Sequence, residues 1–272
     1  MGDKMVLDAS WQDFGADLIA TYDLDPIYPM VAAAVTDWNR KLRWLLAYWC
    51  FYHAGVASAI AERPAKDFYM LMHRGAVDGW PRGMERRYFW GDLALDTIRG
   101  LHDNFSSPEA AVEYMTNHKD FQSLSKAVQS CYGFGPWIAW KVGDMAERVL
   151  CHPVSFSDST LGIYRDPVQG AAWIKFGDKR HAITEDELGE VVEMMENEFS
   201  GHLAPPYQDR PINIQEVETV LCKYKAHCFG HYPYGNDSIH VAKALDGWGD
   251  LAQHMKKTLL LYVTYINGGN HG

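Results

Sequence analysis

Covalent cross-links are the first thing this 272-residue sequence lacks. Its cysteines, Cys50, Cys131, Cys151, Cys222 and Cys228, form no C-x-x-C pair and no regular framework, which excludes a disulfide-stapled scaffold and points to a reducing cytoplasm. The histidines show no H-E-x-x-H or comparable spacing, so no metal site is expected. Nothing after Met1-Gly2-Asp3-Lys4 reads as a signal-type apolar region, and no apolar run is long enough to cross a bilayer, so no membrane partner is expected. Positive charge is also scarce. With 25 Lys and Arg against 35 Asp and Glu, the net charge of -10 argues against a protein that coats nucleic acid through a basic surface. Between Ala182 and Asp209 there is no Lys or Arg at all, while Glu185, Asp186, Glu187, Glu190, Glu193, Glu196 and Glu198 crowd that stretch.

Apolar and aromatic residues are abundant. A 47% hydrophobic content is enough for a large core, as one domain or as two lobes sharing a cleft. Basic residues are clustered rather than spread: Arg40, Lys41 and Arg43 lie together, as do Arg82, Arg86 and Arg87. A local positive cleft on an acidic body suits one nucleotide better than a long track.

The periodicity reads as all-α. Val31 to Ile60 fits one long or two consecutive buried helices, and Leu93 to Leu101 another. Ser107-Pro108-Glu109 caps a helix over Ala110 to Thr116, and Thr184 with Glu187 forms a capping box ahead of an acidic helix ending near Ser200-Gly201. Asn213 caps a helix that carries Glu218, Cys222, Lys223 and Lys225. A Gly/Tyr-rich turn, Gly230 to Asp237, precedes the C-terminal helices.

Between these lie the segments with chemical content. Gly133-Phe134-Gly135-Pro136-Trp137-Ile138-Ala139 joins an arm from Phe121 to Cys131 to a second arm from Trp137 to Leu150; its glycines bring backbone N–H groups close to a ligand at a helix start. Downstream, Asp158 is either a reactive carboxylate or an N-cap for Leu161-Gly162-Ile163. Arg82, Arg86 and Arg87 concentrate three forks for phosphate oxygens, or a solvated face with Glu85 as partner. Tyr52 and His53 put a phenol and an imidazole within an apolar run, where most histidines are satisfied core residues. Cys222 beside Lys223 and Lys225 is either a thiol with added thiolate character or a buried cysteine with its lysines in solvent.

The glycine hairpin followed by Asp158 resembles the helix-hairpin-helix DNA glycosylases. That resemblance implies an all-α fold of two helical lobes around a cleft, here one glycosylase-like domain over residues 1–272 with the hairpin at 121–150. It also implies a DNA phosphate held by Gly133, Gly135, Trp137 and Lys141, with Asp158 doing chemistry at a flipped nucleotide. The lysine that forms a Schiff base in bifunctional glycosylases is matched by Trp137, and the iron–sulfur cysteines of that superfamily are not matched.

Phe51 to Gly55, Arg82 to Phe89, Gly133 to Asp158 and Glu218 to Lys225 together resemble a narrower group, the bacteriophage alpha-glutamyl/putrescinyl thymine pyrophosphorylases, or amino acid:DNA transferases. This resemblance implies an enzyme of the infected bacterial cytoplasm acting on DNA that contains pyrophosphorylated 5-hydroxymethyluracil. It would replace pyrophosphate with a small amine or amino acid, such as glycine, glutamate or putrescine. Arg82, Arg86 and Arg87 would then stabilise pyrophosphate, with Tyr52, Lys223 and Lys225 also in the substrate site, Asp158 or His53 as base, and Cys222 as a nucleophile toward the pyrimidine. No cofactor is identified beyond Mg2+ as a companion of pyrophosphate. The alternatives are a base-excision glycosylase and a noncatalytic module that grips modified DNA.

Overall fold

The computed structural model describes residues 10–157, 159–232 and 235–269. Among them no β-strand forms, and the helices follow in order as α1 (Trp11–Ala20), α2 (Ile27–Ala34), α3 (Trp38–Phe51), α4 (Ala54–Ala61), α5 (Phe68–Val77), α6 (Gly91–Asn104), α7 (Pro108–Thr116), α8 (Phe121–Ser130), α9 (Pro136–Arg148), α10 (Arg165–Phe176), α11 (Glu185–Glu198), α12 (Ile214–Cys228), α13 (Asn236–Ala244) and α14 (Asp250–Gly269). The chain groups into two compact units, each built from separated segments: residues 1–26, 156–239 and 262–272 form the first, and residues 27–155 and 240–261 the second.

The second unit is assembled around α3 and α9. Asp37 starts α3 by accepting the Arg40 N–H at 2.7 Å, and Trp44, Leu45, Leu46, Trp49, Cys50 and Phe51 then have no solvent exposure. Each such side chain contributes roughly 1.5–3 kcal/mol through burial. Trp44 Nε1 donates to Ser58 Oγ on α4 at 3.0 Å, which removes an indole N–H that would otherwise be stranded. Helix α9 is buried on nearly every side, from Ile138 through Ala146. Polar residues on such a helix go inside with it. Lys141 and Asp144 are 6% and 3% exposed, paired at 3.3 Å, with the Tyr28 hydroxyl donating to Asp144 at 3.2 Å.

In the first unit, α10, α11 and α12 pack together with α1 against α12. Gly170 permits the closest approach, since a Cβ there would meet the Leu221 backbone carbon at 2.8 Å. Asp23, 2% exposed, organises the Gly/Tyr-rich turn: it accepts from the Tyr232 hydroxyl at 2.6 Å, Gly235 N–H at 3.1 Å, and both the N–H and hydroxyl of Ser238. These bonds keep a buried carboxylate satisfied while fixing the start of α13.

The local helix signals hold. Ser107 caps α7 with Pro108 in its first turn, and reciprocal capping boxes open α11 at Thr184 and α12 at Asn213. The run from Val31 to Ile60 is more divided than expected, because Asp37 restarts the helix as α3 and Tyr52 ends it in the left-handed conformation, φ 51°. No helix begins at Leu161; α10 starts at Arg165 with Tyr164 at its N-cap.

Candidate active site

Helix ends leave their last carbonyls without partners, and the end of α3 recruits its partners from the arginine segment. Gly83 N–H donates to Phe51 O at 2.9 Å, and Arg86 Nε donates to Cys50 O at 3.0 Å. Gly83 must be glycine for this contact: a Cβ would overlap the Tyr52 carbonyl oxygen and lie 2.9 Å from Glu85 Oε2. Arg86 Nη1 then reaches the hairpin turn and donates to Gly133 O at 2.9 Å. One guanidinium thus joins the end of α3 to the hairpin, packed over Phe89 at 4.5 Å and Phe134 at 5.5 Å.

The same segment holds donors that nothing among the described residues uses. Arg82 Nε, Arg82 Nη2 and Arg86 Nη2 are buried and have no hydrogen-bond partner. Arg86 is 8% exposed, and its protein partners are neutral carbonyls. Burial pulls both guanidinium groups below the ordinary arginine range. Confining a cation without a counter-charge costs several kcal/mol, and the cost is removed when an anion arrives. Arg87, by contrast, is exposed; it donates to Met84 O at 3.1 Å and lies 4.7 Å over the Tyr88 ring.

Beside the arginines, the hairpin has one glycine that the fold requires and one that it does not. Gly133 has φ +81°, and a Cβ there would collide with Thr97 Oγ1. Gly135 has φ −100° and nothing within 4 Å of the position its Cβ would take, at the N-cap of α9. Open space in front of a helix N-terminus, where early N–H groups lack intrahelical acceptors, fits an oxyanion. Trp137, in the first turn of α9, packs edge-on against Tyr52, with ring centroids 5.0 Å apart. Lys141 corrects its expected role: buried and paired with Asp144, it is not displayed to a DNA backbone, because α9 is an interior helix.

The Tyr52 ring packs tilted against Tyr48, with centroids 4.6 Å apart, and burial, followed by the neighbouring Tyr48, pushes its phenol well above the usual range, so it is a neutral donor. His53 caps α4: Nδ1 accepts the Val56 N–H at 3.3 Å, which leaves the ring proton on Nε2. Burial lowers its pKa and keeps it neutral. In this tautomer Nε2 donates and does not accept, which suits a cap better than a base. Asp158 lies outside the described residues. Ser155, three positions earlier, is bound to the start of α8, with Phe121 N–H donating to Ser155 O at 2.9 Å.

The remaining candidates belong to the first unit. Cys222 Sγ donates to Glu218 Oε1 at 3.2 Å. Neither lysine stands over the thiol. Lys223 pairs with Asp237 at 2.6 Å and donates to Asp23 O and Leu24 O, while Lys225 pairs with Asp166 and donates to Gln169 Oε1 at 3.1 Å. Both ammonium groups thus serve as structural ties and do not extend into solvent. Among the described residues no three His, Cys, Asp or Glu side chains converge as metal ligands, and the arginine segment is not a metal-binding set.

The model of the amino acid:DNA transferases matches residues 19–232, which takes in the arginine segment, the hairpin and α12. The chain belongs to the amino acid:DNA transferase family. It is an enzyme of DNA modification, and its relatives are phage proteins. A glycinyltransferase of Pseudomonas phage PaMx11 is 36% identical over 90% of this chain and 92% of its own length. A putrescinyltransferase of Delftia phage PhiW-14 is 27% identical over 90% of this chain and 81% of its own. No helix of this transferase, among the described residues, is long and apolar enough to cross a membrane.

Several residues around the site carried no sequence signal of their role. Thr97 enforces the hairpin glycine, and Tyr28 bonds Asp144, the partner of Lys141; both act through contacts distant in sequence.

Proposed function

We propose that this transferase replaces the pyrophosphate of 5-pyrophosphoryloxymethyluracil in DNA with an amine. The observation that carries the reading is Arg86: a buried cation with no carboxylate, tied to the hairpin turn through Gly133 O and left with one unused nitrogen. An anionic leaving group delivered next to a hairpin-bound DNA strand would supply the missing counter-charge. Arg87, exposed on the same turn, adds long-range attraction for the remaining negative charge.

In the reaction the C–O bond between the uracil methylene and pyrophosphate breaks, with the electron pair leaving on pyrophosphate, and a C–N bond forms from the neutral amine. The ammonium form must first give up one proton, and the new secondary ammonium gives up another. Asp158 is the proposed acceptor, since His53 Nδ1 is committed to Val56. Pyrophosphate leaves as a stable anion, so it needs charge neutralisation more than a proton, and donors aimed at it are worth roughly 10²–10³ in rate each. The methylene is approached most freely when the base is out of the stack. Gly135 and the first turn of α9 would hold a phosphate of the flanking strand.

The test is to incubate the protein with pyrophosphorylated hydroxymethyluracil DNA and a mixture of glycine, glutamate and putrescine. Released pyrophosphate and the digested nucleosides are then measured by mass spectrometry. Stoichiometric pyrophosphate and an aminated nucleoside are expected. Abasic sites would show a glycosylase, and retention of DNA without turnover would show a binding module.

A further inference from the structure

The Arg82 guanidinium is more open than that of Arg86. Its Nε and Nη2 lie along one edge of the planar group, so their N–H bonds point the same way, and both are buried without a partner. A fork of this kind matches an anion that offers two oxygens side by side, as a carboxylate or a phosphoryl group does. Lysine, a single point charge, would not need such an edge. Two buried donors left unmet on one side chain are a larger cost than one, and an anion that meets both removes that cost.

Two sources in the reaction could supply the anion: the leaving pyrophosphate, or the carboxylate of an amino acid donor. Two observations favour the donor. Arg86, reaching the hairpin, already meets the leaving group under the proposed function on which this inference rests. The same turn carries a carboxylate, with Glu85 Oε2 2.9 Å from the point a Gly83 Cβ would occupy. A guanidinium fork and a carboxylate on one turn carry the charges complementary to the two ends of a zwitterion. An amine lacking a carboxylate would leave the fork empty.

We infer that Arg82 is the specificity-determining residue for the donor, its vacant Nε/Nη2 edge binding the α-carboxylate and so selecting amino acids over polyamines.

The experiment uses the full chain with pyrophosphorylated DNA and compares glycine, glycinamide, methylamine and putrescine as donors. Apparent KM and kcat are measured separately, with pyrophosphate release as the count of turnovers. For the parent protein, kcat/KM for glycine should exceed that for glycinamide and methylamine at least tenfold, chiefly through KM. In Arg82→Gln and Arg82→Lys the ratio of glycine to methylamine should collapse at least tenfold, the Lys variant following Gln because it lacks the edge. Melting temperatures of both variants, and the comparison of donors on the parent protein, keep the result independent of folding failure. Equal loss of kcat with every donor would place Arg82 on pyrophosphate and overturn the assignment. So would a parent protein that accepts glycinamide as well as glycine, or prefers putrescine. Failure to release pyrophosphate with any amine would instead overturn the proposed function itself.

Discussion

Gly133 and Gly135 stand two residues apart in one hairpin and should respond oppositely to the same added methyl group. At Gly133 an alanine must hold φ +81° and place its Cβ against Thr97 Oγ1, with Thr97 Cβ at 3.2 Å. The left-handed conformation costs an L-residue roughly 1–2 kcal/mol, and overpacking adds about 1–3 kcal/mol. For a chain of this size, where each kcal/mol shifts the midpoint by roughly 2–4 °C, Gly133→Ala should melt on the order of 5–15 °C below the parent. At Gly135 the backbone is in the extended region and the space is open, so Gly135→Ala should change stability by less than about 0.5 kcal/mol. If that space is where a DNA phosphate approaches the α9 amides, the methyl group displaces it, and affinity should fall by about tenfold or more, equivalent to roughly 1.4 kcal/mol. Differential scanning fluorimetry reads the first quantity and fluorescence anisotropy on a labelled duplex, at fixed salt, reads the second. A Gly135→Ala protein that binds DNA as tightly as the parent would refute the phosphate assignment. Parent-like melting of Gly133→Ala would refute the strain argument.

Arg86→Lys keeps charge but cannot span Cys50 O, Gly133 O and the leaving group at once, so pyrophosphate release should fall at least a hundredfold and the melting point should drop as well; turnover near the parent rate would remove Arg86 from the site. His53→Asn retains a side-chain acceptor for the Val56 N–H and should keep most activity, while His53→Ala should lose about 1 kcal/mol of stability in a denaturant titration; inactivity of the Asn variant would restore His53 as a candidate base. Asp158→Asn should bind modified DNA and melt near the parent temperature yet transfer amine far more slowly, and parent-like turnover would exclude it as the base. Alkaline pH should destabilise the fold through groups that burial holds protonated: Cys50 is raised from 9.0 to about 12, and Tyr52 and Tyr232 are raised from 10.0. The unfolded chain releases these protons first, so melting temperature should decline from about pH 9 upward; a flat profile to pH 11 would contradict that burial.

What could be read from the sequence was local. The caps at Ser107, Thr184 and Asn213 depend on residues within three positions of each other, and the structure shows each one. The hairpin glycines were visible for the same reason. Lys141 was assigned to DNA through the hairpin resemblance, which says nothing of burial, and α9 has almost no exposed face on which to display it. The surroundings of Cys222 could not be placed from the sequence, because proximity along a helix says nothing of where long side chains turn; Lys223 and Lys225 find carboxylates 14 and 59 positions away in sequence. His53, in an apolar run, was read from its surroundings as a satisfied residue; the run is broken at Tyr52, and the break creates the helix start that the imidazole caps.

That break also explains why the arginine segment is where it is. Ending α3 at Tyr52 in a left-handed turn exposes two carbonyls at the negative end of a buried helix, and neutral donors alone would satisfy them. Gly83 N–H takes one, but the other is taken by a guanidinium, which reaches on to Gly133 O and keeps one buried nitrogen, Nη2, without a partner. The helix end offers partial negative charge, enough to keep Arg86 in place and too little to neutralise it. A carboxylate partner would have made the same helix end more stable and left nothing for a substrate. Holding the cation with carbonyls leaves the site incomplete until an anion binds. Pyrophosphate added to the DNA-free protein should therefore raise its melting temperature more than sulfate at equal ionic strength, and Arg86→Met should abolish the difference; equal stabilisation by both anions would mean that the unused nitrogens read charge and not the leaving group.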